Sequence, residues 1–427
     1  MTNCTDRTPD NLLEIITKQG RQAKTAARFL ATASTDLKNQ ALLNMADKLE
    51  QRSEEIISAN REDMEQGAAN GLSPALLDRL MLDEGRIKGM AAGLRQIAGL
   101  ADPIGEVISM VKRPNGLDVG QIRTPIGVIG LIYESRPNVT ADAAGLCLKS
   151  GNAILLRGGE EAINSNRKIT SIISAAAEEC GIPGGAIQLV DSLDRNAAIM
   201  MMKMNDYLDV LIPRGGKGLK KAVQENASVP IIMTGMGNCH VYVDEFADFT
   251  KAVRIVHNGK VQRPSVCNAI ETLLVHQNIA QEFLPLVIAD LQAAQVEVRG
   301  CARCREIVSN IDPATEADWD TEYLDLTIAV KIVDSLKEAI DHINRHGTGH
   351  SEAIVSENYS RVRQFMSGVD AAAVYANAST RFTDGNEFGF GAEMGISTQK
   401  LHARGPMGLK DLTTVKYIIY GDGQIRE

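Results

Sequence analysis

Residues 11 to about 100 place apolar side chains at three- and four-residue steps, in NLLEIITKQGRQAKTAARFLATA and in DLKNQALLNMADKLEQRSEEIISAN. That spacing predicts helices with one buried face. The period then breaks. DPIGEVISMVKRPNGLDVGQIRTPIG has a β-like texture, and its Pro114-Asn115-Gly116 predicts a hairpin turn. Beyond it, short apolar runs alternate with helical patterns. GVIGLIY precedes ADAAGLCLKSG, AILLRGG precedes SNRKITSIISAAAEECG, AIQLV precedes DRNAAIMMMKM, and DVLIPRGG precedes KGLKKAVQEN. A second series follows: ETLLVH with NIAQEFLPLVIADLQAA, AVKIVD with SLKEAIDHINRHG, EAIVS with YSRVRQFMSG, then AAVYANAS. The tail VKYIIYGDGQIRE reads as a strand. Strand–helix repetition of this kind predicts parallel sheets covered by helices on both faces. The expected architecture is α/β, with two α/β units and a small β arm.

Length agrees, since 427 residues exceed one ordinary core. Composition is that of a globular protein, with 44% hydrophobic and 23% charged residues. A net charge of −9 argues against nucleic acid as the main partner, which normally needs a basic face. The start, MTNCTDRTPD, lacks a signal-peptide core, and no run approaches the ~18 apolar residues of a membrane span. A cytoplasmic protein with no membrane contact is expected. The seven cysteines (Cys4, Cys147, Cys180, Cys239, Cys267, Cys301 and Cys304) show no disulfide-like regularity. Cys301 and Cys304 form a CARC pair, but no second pair or histidine pair stands at ligand spacing, so no metal is expected.

Three stretches carry candidate chemistry. Arg157, Gly158 and Gly159 follow one predicted strand, and Arg214, Gly215 and Gly216 lie between a strand and a helix. Glycines admit an anion to the backbone, and a helix start offers free N–H groups to a phosphate. Each pair taken singly reads better as an ordinary turn; both at strand ends of one α/β series make a nucleotide site an equal reading. Cys267, in QRPSVCNAIETLLVH, stands between a polar loop and a strand. A rigidly held, exposed thiol there could serve as a nucleophile if a cation lowered its pKa, whereas most cysteines are packed core residues. The pattern alone leaves both readings open.

Longer stretches decide more. YESRPNVTADAAGLCLKSGNAILLRGG, LIPRGGKGL, QRPSVCNAIETLLVH, VDSLKEAIDHINRHGTGHSEAI, VYANASTRFTDG and STQKLHARGPMGL occur in this order. Together they resemble the glutamate-5-semialdehyde dehydrogenase (gamma-glutamyl phosphate reductase) family of the aldehyde dehydrogenase superfamily, over essentially the whole chain. The resemblance implies an aldehyde dehydrogenase-like fold: a Rossmann-type cofactor domain, an α/β catalytic domain and a small β oligomerisation arm. By that alignment the NADP-binding domain comprises residues 1–104 and 124–236 with 377–405. The thiol domain comprises 237–376, and the arm 105–123 with 406–427. It also implies an enzyme of proline biosynthesis that uses NADPH, and no metal, to reduce L-glutamate 5-phosphate to L-glutamate 5-semialdehyde with release of phosphate. A homo-oligomer and functional coupling to a glutamate 5-kinase go with it.

The residue roles that the resemblance implies are as follows. Cys267 is the nucleophile, and the Asn138 side chain with the Cys267 backbone N–H meets the oxyanion. Arg157 and Gly158 lie at the adenosine ribose, Gly215 and Gly216 at the pyrophosphate, and Glu322 at the nicotinamide ribose. Substrate ligands are expected among Arg136, Arg263, Asn377, Ser379, Thr380, His402 and Arg404. TGMGN, with Thr234, stands where hydrolytic relatives carry a water-activating glutamate. Its lack suits an acyl group exchanged with phosphate. Glu160 and Glu161, beside Arg157, would repel a 2′-phosphate and leave NADP against NAD open. Two other readings stay in view: an acylating dehydrogenase for a different acyl phosphate or a coenzyme A thioester, and a nicotinamide-independent cysteine acyltransferase.

Overall fold

A computed structural model of the chain describes residues 9–426. Cys4 and the polar start of the chain lie outside the described residues. Contacts divide the chain into two compact units. One runs to Met233 and takes in Gly389–Gly395 and Met407–Glu427; the other comprises Thr234–Phe388 and Ile396–Pro406.

The first unit opens with helices α1 (Pro9–Leu30), α2 (Thr35–Gln51), α3 (Ser53–Ala69), α4 (Pro74–Leu80) and α5 (Glu84–Gly99). Their starts are set by local chemistry: Ser34, Ser73 and Asp83 each accept a backbone N–H from the first turn of the helix that follows. Next come β1 (Val107–Lys112) and β2 (Asp118–Pro125), joined at the expected turn, where Gly116 has φ +88°. A C-terminal strand, Thr413–Tyr420, pairs antiparallel with β2 and completes a three-stranded sheet. The α/β series follows as β3 (Val128–Tyr133), α6 (Asn138–Lys149), β4 (Ala153–Arg157), α7 (Ile163–Glu179), β5 (Ile187–Leu189), α8 (Arg195–Met202), β6 (Val210–Arg214) and α9 (Lys217–Asn226). The four strands form one parallel sheet in the order β5-β4-β3-β6. Every residue of β3 is buried, as helices on both faces require of a continuous apolar run.

The second unit contains β7 (Cys239–Val243), α10 (Phe249–Val261), β8 (Ile270–His276), α11 (Gln277–Ala293), β9 (Glu297–Gly300), α12 (Ala302–Ile307), β10 (Asp312–Pro313), β11 (Thr327–Val333), α13 (Leu336–His346), β12 (Ser351–Val355), α14 (Tyr359–Gly368) and β13 (Ala373–Ala376). Its seven strands are all parallel, in the order β10-β9-β11-β8-β7-β12-β13. One apolar core lies among α10, α11 and the sheet, around Phe283, Leu284 and Val287. Another lies under α13 and α14, around Leu336, Ile343 and Phe365.

Segment 377–405 differs from its expected place with the cofactor domain. It divides, and most of it packs in the second unit. The cause is a set of hydrogen bonds to residues near the thiol: Thr380 Oγ1 donates to Asn268 O at 2.7 Å, and Asn268 Nδ2 to Thr383 O at 2.9 Å. Among the described residues no helix is long and apolar enough to cross a membrane. The sulfurs of Cys301 and Cys304 lie 3.5 Å apart, and no group of three or more potential ligands is placed to hold a metal among the described residues.

Candidate active site

In the first unit, chain order around the sheet reverses beside β3, between β4 and β6. Ligands of such sheets bind beyond the carboxyl ends of strands at such a point. Three of the expected stretches emerge there. Ile132 of β3 pairs with Arg157 of β4, and Tyr133 with Arg214 of β6. Asn138 begins α6 at the end of the loop leaving β3.

This edge carries donors for an anion together with carboxylates that engage some of them. Arg157 is partly buried; burial lowers its pKa, opposed by Glu161 and Glu160, and its buried Nε has no hydrogen-bond partner. Gly158 packs so tightly on Asn166 and the Tyr133 ring that a side chain there would collide. Gly216, at the start of α9, donates its N–H at 2.8 Å to Glu134. A carboxylate thus occupies the donor expected for a phosphate, at the positive end of a helix. Glu161 is turned onto Ser135, accepting from its N–H at 2.5 Å and its hydroxyl at 2.7 Å. Glu160 is exposed, 3.9 Å from Arg195. Asn138 Nδ2 donates to Asp142 Oδ2 at 3.0 Å, one turn along α6. Burial raises the Asp142 carboxyl to about 6, while Asn138 and Arg214 pull it down. Arg136 lies in the turn before α6, where its carbonyl accepts from Val139 N.

In the second unit, Cys267 sits in a turn after α10, just before β8. The turn closes with Ala269 N donating to Val266 O at 3.1 Å. Beneath it runs 234–238, the segment at the amino end of β7. Gly237 approaches so closely that a Cβ there would lie 2.7 Å from Cys267 Cα and nearer still to its carbonyl. Cys239 Sγ donates to Cys267 O at 3.2 Å, so the carbonyl of Cys267 is fixed from below. The same Gly237 donates its N–H at 2.6 Å to Glu322 Oε1. Glu322, expected at the nicotinamide ribose, therefore reaches the residue that supports the thiol. Segment 234–238 carries no carboxylate of its own.

Cationic groups gather near the thiol. Arg381, absent from the expected set, is half-buried; burial and then Arg263 push its pKa down, and Cys267 pulls it up. It hydrogen-bonds Asn268 and, at 2.8 Å, Gln262. Thr380 is held on Asn268, and Ser379 caps the short turn that starts at Thr380. Two histidines of the VDSLKEAIDHINRHGTGHSEAI stretch, His346 and His350, serve this scaffold. His346 O accepts from Asn238 Nδ2 at 2.8 Å, and His350 Nδ1 lies 2.8 Å from Ser351 Oγ, which meets Thr383. Other expected substrate residues are engaged elsewhere. Asn377 spends both ends of its amide on the Ser356 backbone at 3.0 Å, in a left-handed conformation of φ +54°. Arg404 pairs with exposed Asp370 at 2.7 Å, and His402 is exposed with φ +70°. Arg381 is legible as a cation inside the quoted VYANASTRFTDG stretch, whereas nothing in the sequence marks the contact of Gly237 with Cys267.

Comparison with known proteins gives the family of the chain. A family model described as the aldehyde dehydrogenase family matches residues 7–301. The gamma-glutamyl phosphate reductase of Syntrophomonas wolfei is 72% identical over 97% of this chain and 99% of its own length. That of Moorella thermoacetica is 62% identical over 97% and 99%. A crystal structure of gamma-glutamyl phosphate reductase from Thermotoga maritima superposes with a TM-score of 0.94 at 51% identity, covering 96% of this chain and 100% of that one.

Proposed function

Because the chain belongs to the aldehyde dehydrogenase family, and within it to the gamma-glutamyl phosphate reductases, we propose that it reduces L-glutamate 5-phosphate to L-glutamate 5-semialdehyde in proline biosynthesis. The observation that carries the reading is Cys267, held by Gly237 and Cys239 with Arg263 and Arg381 nearby. A cationic setting favours thiolate and attracts a dianionic acyl phosphate.

The Cys267 thiolate attacks the acyl carbon, and the C–O bond to phosphate breaks with inorganic phosphate leaving. A thioester remains on Cys267. A nicotinamide dinucleotide bound there, NADPH in this reading, would supply the hydride that reduces that carbon. The resulting thiohemiacetal oxyanion collapses, releasing the aldehyde and the thiolate. Asn138 is assigned an amide N–H to the oxyanion, as is the Cys267 backbone N–H. With no carboxylate in 234–238 to activate water, the thioester is left for phosphate exchange and reduction.

The chain's residues fit the dinucleotide. Arg157 with its unpartnered Nε, Gly158, Gly215 and Gly216 would hold the adenosine and diphosphate, and Glu322 the nicotinamide ribose. NADP is assigned over NAD because Glu161 is engaged by Ser135 and Arg157 remains for a 2′-phosphate. Arg263, Arg381, Ser379 and Thr380 are assigned to the substrate. Arg136 and His402 are assigned with them, whereas Asn377 and Arg404 would have to leave Ser356 and Asp370 to join. A homo-oligomer is proposed through the three-stranded sheet, whose Val107, Val111, Tyr417 and Ile419 are exposed.

The test runs the reaction backwards. Pyrroline-5-carboxylate in equilibrium with the semialdehyde, NADP⁺ and phosphate should yield NADPH, and Cys267→Ser should abolish it. An equal signal without phosphate would overturn the acyl-phosphate reading. Equal rates with NAD⁺ would overturn the cofactor assignment.

A further inference from the structure

We propose that a fully buried ion pair, Lys260 with Glu271, is the positioning device for Glu322; the inference rests on the reading of Glu322 as the nicotinamide-ribose ligand. Lys260 lies in the last turn of α10 and Glu271 near the start of β8, and both side chains are wholly inaccessible. Lys260 Nζ and Glu271 Oε2 are 2.5 Å apart. Burial works against both charges, lowering the Lys260 pKa and raising Glu271 to about 7, while each partner offsets part of the effect. Such a pair seldom stabilises a fold more than apolar side chains of the same volume would, so its use has to be sought in the groups it orients.

Those groups lie in the loop of Glu322. With one carboxylate oxygen fixed by Lys260, the other, Oε1, accepts the N–H of Leu324 at 3.2 Å. Leu324 needs that help. Its φ is +56°, a left-handed conformation that costs a residue with a side chain of this size. The residue between, Tyr323, has its ring 6.0 Å from Lys260 Nζ and its hydroxyl on Asp318 at 2.6 Å. Glu322 then meets the Gly237 N–H. Residues 322 to 324 are thus tied in three directions, and the buried pair supplies the tie at Leu324. Neither Lys260 nor Glu271 is exposed to touch a ligand; they act through Glu322 as positioning residues.

Two double variants separate the charge from the tie. Lys260→Met with Glu271→Gln removes the ion pair and keeps an oxygen for Leu324 N–H. Lys260→Met with Glu271→Met removes both at nearly the same volume. The expected result is a cofactor KM within about twofold of the parent in the first and raised about five- to tenfold in the second. KM for phosphate and the alkylation rate of Cys267 should be unchanged in both. Equal cofactor KM in the two variants would overturn the proposal. Glu322→Gln is the control: an unchanged cofactor KM there would overturn the reading of Glu322 itself. A readout free of mutation uses the intact enzyme, in which the Leu324 amide should exchange with deuterium at least about a hundredfold slower than exposed loop amides. Exchange at loop rates would overturn the proposal even if neither double variant folded.

Discussion

Replacing Gly237 with alanine adds one methyl group and tests the support of Cys267, the proposed nucleophile. The new Cβ would lie 2.7 Å from Cys267 Cα and closer to the carbonyl carbon and oxygen, all backbone atoms. No rotamer change can relieve that. Gly237 does not have a left-handed φ, so backbone conformation itself is no obstacle to alanine. The cost is therefore steric and local. Restoring ordinary contact needs a displacement on the order of 1–2 Å. The turn that carries Cys267 must then move, or Gly237 must retreat and take its N–H away from Glu322. A shift of about 1 Å at a reacting group costs on the order of 10²-fold in rate. The expected outcome is a fall in kcat of about a hundredfold in the reverse assay. Iodoacetamide labelling of Cys267 should change in rate, while far-UV circular dichroism stays the same. A variant with more than about a third of parental kcat and unaltered labelling would refute the reasoning.

Two further outcomes follow from the first unit. Glu134→Gln removes a negative charge from Gly216 N–H at the start of α9, so cofactor KM should fall about two- to fivefold in steady-state kinetics; an unchanged or higher KM would count against a diphosphate at that helix end. Asp142 has its carboxyl raised from 3.8 to about 6, chiefly by burial, so its contribution to stability is full below pH 3.8 and lost as pH rises through 6. Asp142→Asn should therefore stabilise the protein at pH 8 by about 1–2 kcal/mol, less than the full shift because Asp142 keeps some accessible surface, and by much less at pH 5. Urea midpoints at the two pH values check this, and an advantage independent of pH would refute it.

Periodicity was enough for much of the architecture. Runs such as GVIGLIY and AILLRGG are strands because helices bury both their faces, and that burial demands continuous apolar sequence. The strand CHVYV was not legible in the same way. His240 interrupts it, and the interruption is tolerable only because Glu352, over a hundred residues away, accepts from both its backbone N–H and its ring at 2.7 and 3.0 Å. Strand-end chemistry was legible in the first unit, where glycines and arginine leave the carboxyl ends of β4 and β6. In the second unit the same rule points to the wrong edge. Gly237, Cys267 and Glu322 all precede their strands, and the thiol lies at the amino edge of the sheet.

By itself, then, the sequence determined what short-range physics controls: helical faces, buried strands, the hairpin at Gly116, and the residue types able to carry the chemistry. Family resemblance singled out one thiol among seven. Only the tertiary structure decided which groups surround it. Gly237 against Cys267, Arg381 on Asn268 and Glu271 on Leu324 join residues 30 to 113 positions apart. Such pairings arise when parallel strands are brought side by side by long crossovers, and no local pattern encodes which loops will meet at the shared edge.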